Sequence, residues 1–429
     1  MYADDLVLIS KTKDGLQNLL NTLHNFTESW FLRINKSKTK TMCFSRVNCE
    51  PLKNIKFGSD FINSTESYCY LGTTFTDNGS LNSAAKILHD KSIKAMYGLL
   101  GKVNKHKSCD PKLLMQLFDK TILPVATYNS EVWGPLCLPV NQNNNDFLNV
   151  SSSKNPVEDV QVKFCKRVLG VSDRTSANWA VLSECGRLPT ITLIISKMVT
   201  YWYHLSTTSS PLLKAALETN VRLATKGYKS WFSYVHRCMK ILSIDHILYT
   251  SDIVEARLLS QKSKILVKNL ASDNWTRLHA KMSDECTKLD LYCKLKQSSF
   301  MSPHLTASLS PKQKSAITKF RIRASNLPIV TGRFLDIPRA DRLCTLCCSE
   351  VGSEAHYLLS CRFQQFNKPR SDMMAALSAN VPGVHQMSES SKIMLILNCT
   401  DSYILSKIGK FSTKFLDTFR ELNTMLKEK

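Results

Sequence analysis

The sequence predicts an α+β segment at the N-terminus, then a mostly α-helical chain that ends in a small cysteine- and histidine-bearing region. Three observations predict it. Short β-friendly apolar runs, interrupted by Gly58 and Gly72, occupy the first 82 residues. From Ser83 the apolar period becomes helical, and between 344 and 361 thiols and an imidazole crowd together in metal-ligand spacing.

The chain opens "MYADDLVLIS", which reads as an acidic turn, Asp4-Asp5, entering a buried strand over Leu6 to Ile9. Adjacent carboxylates repel, so this placement costs free energy unless cations or donors compensate. The segment "DGLQNLLNTLHNFTESW" predicts an amphipathic helix, with Leu16, Leu19, Leu20, Leu23, Phe26 and Trp30 at spacings of three and four. Asp14 with Gln17 resembles its capping box. A strand is expected around Thr41 to Ser45. Short hairpin strands then follow in "IKFGSDFINSTESYCYLGTTF", antiparallel because the connections are short.

Two helices follow Ser83, the second opened by Pro111, where a missing amide costs nothing. The polar run "LPVNQNNNDFLNVSSSKNP" predicts a linker over 137–156. Helical patterns resume in "VEDVQVKFCKRVLGV", in "TLIISKMVTYWYHL" and in the basic "PKQKSAITKFRIRAS". Ile404, Ile408, Phe411, Phe415, Phe419 and Leu422 make the apolar stripe of a final helix.

Lysine and arginine exceed aspartate and glutamate by 57 − 35 = 22 over 429 residues, spread along the chain. That excess suits a polyanion, because each cation set against a phosphate releases condensed counterions. The 15 scattered cysteines favour reduced thiols in an intracellular protein of nucleus or cytoplasm. No apolar run is long enough to span a bilayer. Glycine-rich phosphate loops and the G-x-S-x-G nucleophile turn are absent, which excludes the enzymes built on them.

"YADD", an apolar run, an amphipathic helix, "INKSKTK" and "YLG" follow in an order that resembles the palm of a reverse transcriptase. The resemblance is to the back half of the polymerase of LINE-type (non-LTR, jockey-like) retrotransposons, and it continues through "YNSEVWGP", "FCKRVLGV", "ECGRLP" and the terminal cysteines. It implies that Asp4 and Asp5 are catalytic carboxylates for Mg²⁺, with Asp4 the better ligand. It implies that Lys38 or Lys40 meets phosphate charge, and that Tyr70, Leu71 and Gly72 form the hairpin supporting the primer. RNA template and DNA primer or target would be the partners. Two-metal nucleotidyl transfer needs divalent ions about 4 Å apart, and Mg²⁺ takes oxygen ligands.

The family also uses a carboxylate and fingers that precede the YADD turn. Their absence from these residues predicts a truncated enzyme fragment that does not polymerise alone. The alternative is a non-catalytic RNA- or DNA-binding protein, and a third possibility is an unstable decayed product.

In "RLCTLCCSEVGSEAHYLLSC", Cys344, Cys347, His356 and Cys361 offer three thiolates and one imidazole, a complete tetrahedral Zn²⁺ set and so a structural one. Cys348 competes with Cys347. The family's terminal Cys-Cys-His-Cys motif agrees. Around it lie Arg321, Arg323, Arg333, Arg339 and Arg342, then Arg362 and Arg370, as phosphate-contact candidates. Phe320, Phe334 and Phe363 are candidates to stack on unpaired bases, with the core the stronger expectation for all three, and Trp133, Trp179, Trp202 and Tyr203 are expected in the core. Asn178, Glu184 and Arg187 match a family pattern to which the sequence attaches no physical role. The resulting organisation is a truncated palm remnant (1–82), thumb-like helices (83–136), the linker, a helical connector (157–310) and a basic C-terminal region with the zinc knuckle (311–429).

Overall fold

The computed structural model describes residues 4–45, 52–105, 110–138, 155–172, 176–248, 252–285 and 288–425. Tyr2, Ala3 and most of the expected 137–156 linker lie outside them. The chain divides into two compact units, Met1–Asp90 and Lys91–Lys429.

In the first unit, α1 (Lys13–Ser29) is capped by Thr12, whose Oγ1 accepts from the Gly15 amide at 3.1 Å, not by Asp14 as the sequence suggested. Gln17 is used elsewhere. Its amide group donates to the Lys56 carbonyl and accepts from the Lys56 amide, at 2.8 and 2.9 Å, docking the helix on β1.

Strand β1 (Lys56–Phe57) pairs antiparallel with β2 (Asp60–Phe61), and β3 (Ser67–Tyr70) with β4 (Thr73–Thr76). Between β3 and β4 both turn residues have positive φ, +46° at Leu71 and +78° at Gly72, the hand that matches strand twist in a two-residue hairpin. The core is small: Leu20, Ile55 and Phe57, with Leu8, Leu16, Leu23 and Ile34 against it.

Three expectations fail here. Leu6 to Ile9 form no strand, and Ile9 is 78% exposed. No strand lies alongside them among the described residues, so the run has no sheet face on which to bury. Thr41 makes one parallel bridge to Ser64 rather than a strand through Ser45. Phe26 and Trp30 lie on the exposed side of α1 and pack on each other instead of the core.

Helix α2 (Asn82–Lys105) contains the division between the units. The second unit continues with α3 (Pro111–Leu117), capped by Asp110 with Pro111 in its first turn, and a π-helical turn, Phe118–Ile122. α4 (Pro156–Leu169) starts on the Asn155 side chain and stops at Gly170, whose φ of +62° closes it. α5 (Asn178–Glu184), α6 (Ile191–Thr207), the long α7 (Ile253–Glu285) and α8 (Asp290–Leu295) follow.

One core gathers Phe118, Phe164, Val181 and Tyr292 around α4, α5 and α8. A second holds α9 (Pro311–Arg321), α10 (Asn367–Asn380) and α11 (Ser402–Met425) together. The α11 stripe from Ile404 to Phe419 is buried there, as its period predicted. Among the described residues no helix is long and apolar enough to cross a membrane.

Candidate metal centre and nucleic-acid interface

After Arg342 the chain turns back on itself. Leu343 bridges Val351, the Cys344 amide donates to the Glu350 carbonyl at 2.7 Å, and the Cys348 amide donates to the Cys344 carbonyl at 2.9 Å. Cys348 itself has φ +55° and is exposed, so the turn directs Cys347, not Cys348, into the cluster. The π-helical turn His356–Ser360 delivers the other two ligands. Its wider, i to i+5 turn places Cys361 against His356, with the Cys361 amide on the His356 carbonyl at 2.8 Å.

The sulfurs of Cys344, Cys347 and Cys361 and a ring nitrogen of His356 all lie within 4.8 Å of one another. Cys344 Sγ is 3.9 Å from Cys361 Sγ, against an edge of about 3.8 Å for a tetrahedron of zinc–sulfur bonds. His356 Nε2 stands 3.2 Å from Cys347 Sγ. The opposite nitrogen, Nδ1, is 2.6 Å from Glu350 Oε2, to which Ser360 also donates at 2.8 Å. A carboxylate on the far side of the imidazole fixes its tautomer and orientation, the usual support of a zinc-bound histidine.

The electrostatics divide among the four groups. Burial pushes the Cys344 thiol up, but hydrogen bonds from His356 and backbone amides outweigh this and bring it down to about 6. Cys361, with burial dominant, is pushed up to about 12. Burial opposes protonation of His356, while Cys344 and Glu350 hold its pKa up at about 9. The donor set fits Zn²⁺, and four protein ligands of this kind would hold it as a structural ion with no open position.

The arginines divide. Arg321 is 2% exposed, with Nε 2.9 Å from Glu184 Oε1 and Nη1 donating to the Leu397 carbonyl and, at 2.9 Å, to Asn398 Oδ1. Arg323 is buried between Asp290 and Glu354. Neither presents its guanidinium to a phosphate, because each neutralises a buried carboxylate. Arg342 braces the backbone, donating to the Ile337 and Ile329 carbonyls at 2.8 and 2.9 Å. Arg370 does the same for the carbonyls of Cys361 and Tyr357. Arg333, Arg339 and Arg362 are exposed. Phe320 is core, but Phe334 is 68% exposed, against the core placement expected for it.

At the other end of the sequence Asp4 and Asp5 are both exposed. They offer oxygen ligands of the kind Mg²⁺ takes, and among the described residues no third carboxylate joins them. Asn35 shapes the following basic turn. Its Oδ1 accepts from the Lys38 amide at 3.1 Å and its carbonyl from Thr39, leaving Lys38 and Lys40 exposed. Tyr68 donates to the Lys38 carbonyl at 3.1 Å, tying that turn to the β3–β4 hairpin that carries Tyr70, Leu71 and Gly72.

Sequence reasoning missed what Glu184 and Arg187 do. Glu184 is the buried partner of Arg321. Arg187 makes a two-pronged ion pair with Asp119, at 2.8 and 2.5 Å, and also reaches Gln161 Oε1. The motif "ECGR" marked both residues, yet nothing local indicates partners 137 and 68 positions away.

Residues 1–75 match the family described as reverse transcriptase (RNA-dependent DNA polymerase). That segment is similar to the reverse-transcriptase family. Two relatives carry transposon descriptions. The chain is 29% identical over 137 residues to a putative uncharacterized transposon-derived protein of Caenorhabditis elegans, covering 31% of this chain and 47% of that protein. It is 23% identical over 140 residues to a probable RNA-directed DNA polymerase from transposon BS of Drosophila melanogaster, covering 31% of this chain and 16% of that one. The matches thus span less than half of either relative. No solved structure matches this chain.

Proposed function

We propose that the chain carries part of a LINE-type reverse transcriptase, and that these 429 residues bind nucleic acid without extending a primer by themselves. The reverse-transcriptase match over residues 1–75 carries the first half of this reading. In it, the YADD acids lead to a hairpin whose tight turn is Leu71-Gly72. Asp4 and Asp5 are then ligands for Mg²⁺, Lys38 and Lys40 face phosphate, and Tyr70 to Gly72 support the primer end. That no third acid joins Asp4 and Asp5 among the described residues accords with the second half.

A non-catalytic binding role is the second reading. It is favoured by a complete Cys/His cluster beside exposed Arg333, Arg339 and Arg362. Here zinc fixes the fold of the region and the arginines meet phosphates, with little reading of sequence.

One experiment separates the readings: primer extension on an RNA template with Mg²⁺, alongside binding of the same primer–template across a salt series. The expected result is no extension, with an affinity that falls by orders of magnitude from low to moderate salt. Extension abolished by Asp4→Asn would overturn the inactive fragment, and salt-insensitive affinity would overturn both readings.

A further inference from the structure

Between the short helix Pro328–Thr331 and the cysteine hairpin the chain makes a closed loop. The Ile337 amide donates to the Gly332 carbonyl at 2.9 Å, and Asp336, at φ +51°, turns the backbone to allow it. Arg342 clamps the base through the Ile337 and Ile329 carbonyls. Gly332 permits that approach, since a Cβ there would stand 2.7 Å from Arg342 Cγ. The Arg342 carbonyl in turn accepts from the Gly352 amide at 2.9 Å, just past the Leu343–Val351 bridge that closes the cysteine hairpin. One residue therefore anchors both the metal centre and the loop.

The loop displays what a folded chain ordinarily hides. Phe334 and Leu335 are 68% and 70% exposed, adjacent, and held out on a braced backbone. Two large apolar side chains presented together on a braced loop offer a surface that a partner can cover. Arg333 beside them and Arg339 after them are exposed too, in a chain of net charge +22. An aromatic face flanked by cations complements a base flanked by phosphates. A duplex buries its base faces in its own stack, whereas a single strand offers them.

We propose that Phe334 is a stacking platform for an unpaired base of single-stranded nucleic acid, with Arg333 and Arg339 on the neighbouring phosphates. The inference rests on the nucleic-acid reading above and adds the strand class and the contacting side chain. Phe334 is exposed and lies outside the buried core of the C-terminal region, so its replacement leaves the fold intact.

The test measures fluorescence anisotropy of a labelled oligothymidylate of about 20 nucleotides, longer than one site of this kind, and of a matched duplex. Phe334→Ala is expected to weaken the single strand by about tenfold, the weight of one stacked base, and to leave duplex affinity, zinc content and unfolding midpoint unchanged. Phe334→Trp should restore binding, with its fluorescence quenched on stacking. If the parent binds the single strand and Phe334→Ala binds it equally well, the stacking inference fails alone. If the parent shows no salt-sensitive affinity for either probe, the nucleic-acid reading fails with it. Binding to phosphatidylserine vesicles lost in Phe334→Ala, with oligonucleotide binding unchanged, would assign the loop to a lipid surface and overturn the proposal.

Discussion

Arg321 Nε stands 2.9 Å from Glu184 Oε1, with both side chains sealed from solvent. The pair joins α5 to α9, and other groups converge on it. His304 Nε2 is 4.0 Å from Glu184 Oε2, the Ser302 amide donates to the Glu184 carbonyl, and Lys296 donates to Ser302 Oγ at 3.0 Å. Burial alone would raise the Glu184 pKa, but Arg321, His304 and Lys296 together hold it below the ordinary carboxylate range.

Arg321→Met is therefore expected to destabilise the second unit by about 3–5 kcal/mol, because it strands a buried charge. Glu184→Gln combined with Arg321→Met should recover part of that loss. A double-mutant cycle from urea unfolding measures the coupling. A cost for Arg321→Met no larger than that of a surface substitution would contradict the pairing.

Acid should weaken the same network. Burial is the main cause that lowers His304 from an ordinary 6.5 to about 3 in the folded chain. Between those values the unfolded chain binds the extra proton, so stability is full above pH 6.5 and falls as pH drops through the window. The slope reaches up to about 1.4 kcal/mol per pH unit. The depressed Glu184 adds loss in the same direction at lower pH. Replacing His304 with Gln, which retains a partner for Thr318 Oγ1 at 2.8 Å, should flatten the difference in urea midpoint between pH 7 and pH 5, with the metal centre common to both proteins.

Metal content should separate the adjacent thiols. Protein purified under reducing conditions is expected to carry close to one zinc per chain by elemental analysis. Cys347→Ser should lose it and Cys348→Ser should keep it, since only Cys347 faces His356. Loss of zinc should lower the unfolding midpoint of the C-terminal region, because binding free energy at a structural site is folding free energy.

Leu71 holds a positive φ of +46°, which costs a residue with a Cβ. Leu71→Asn should suit the tight turn better and stabilise the β3–β4 hairpin by roughly 0.5–1 kcal/mol. Slower amide exchange at Tyr70 and Thr73 would register it.

Periodicity made the helices and the terminal stripe legible, and the two hairpins could be read from Gly58 and Gly72. The cysteine cluster was legible because all its ligands are near neighbours in the chain. What the sequence hid was partnership. Leu6 to Ile9 look like a strand from their composition, but a strand exists only where another lies beside it. Arg321 and Arg333 are the same letter, and only the distant Glu184 removes one of them from the surface. Phe334 belongs by type with the core residues, and a braced loop turns it outward.

The zinc candidates Cys344 and Cys361 are 17 positions apart, whereas Glu184 and Arg321 are separated by 137. During synthesis, Glu184 leaves the ribosome long before its counter-ion is translated and waits as an unpaired acid on a nascent chain. The cysteine knob can close soon after its last thiol emerges. A pause or premature stop between those two moments yields a polypeptide with an uncompensated charge in its interior, a ready client for chaperones and proteases.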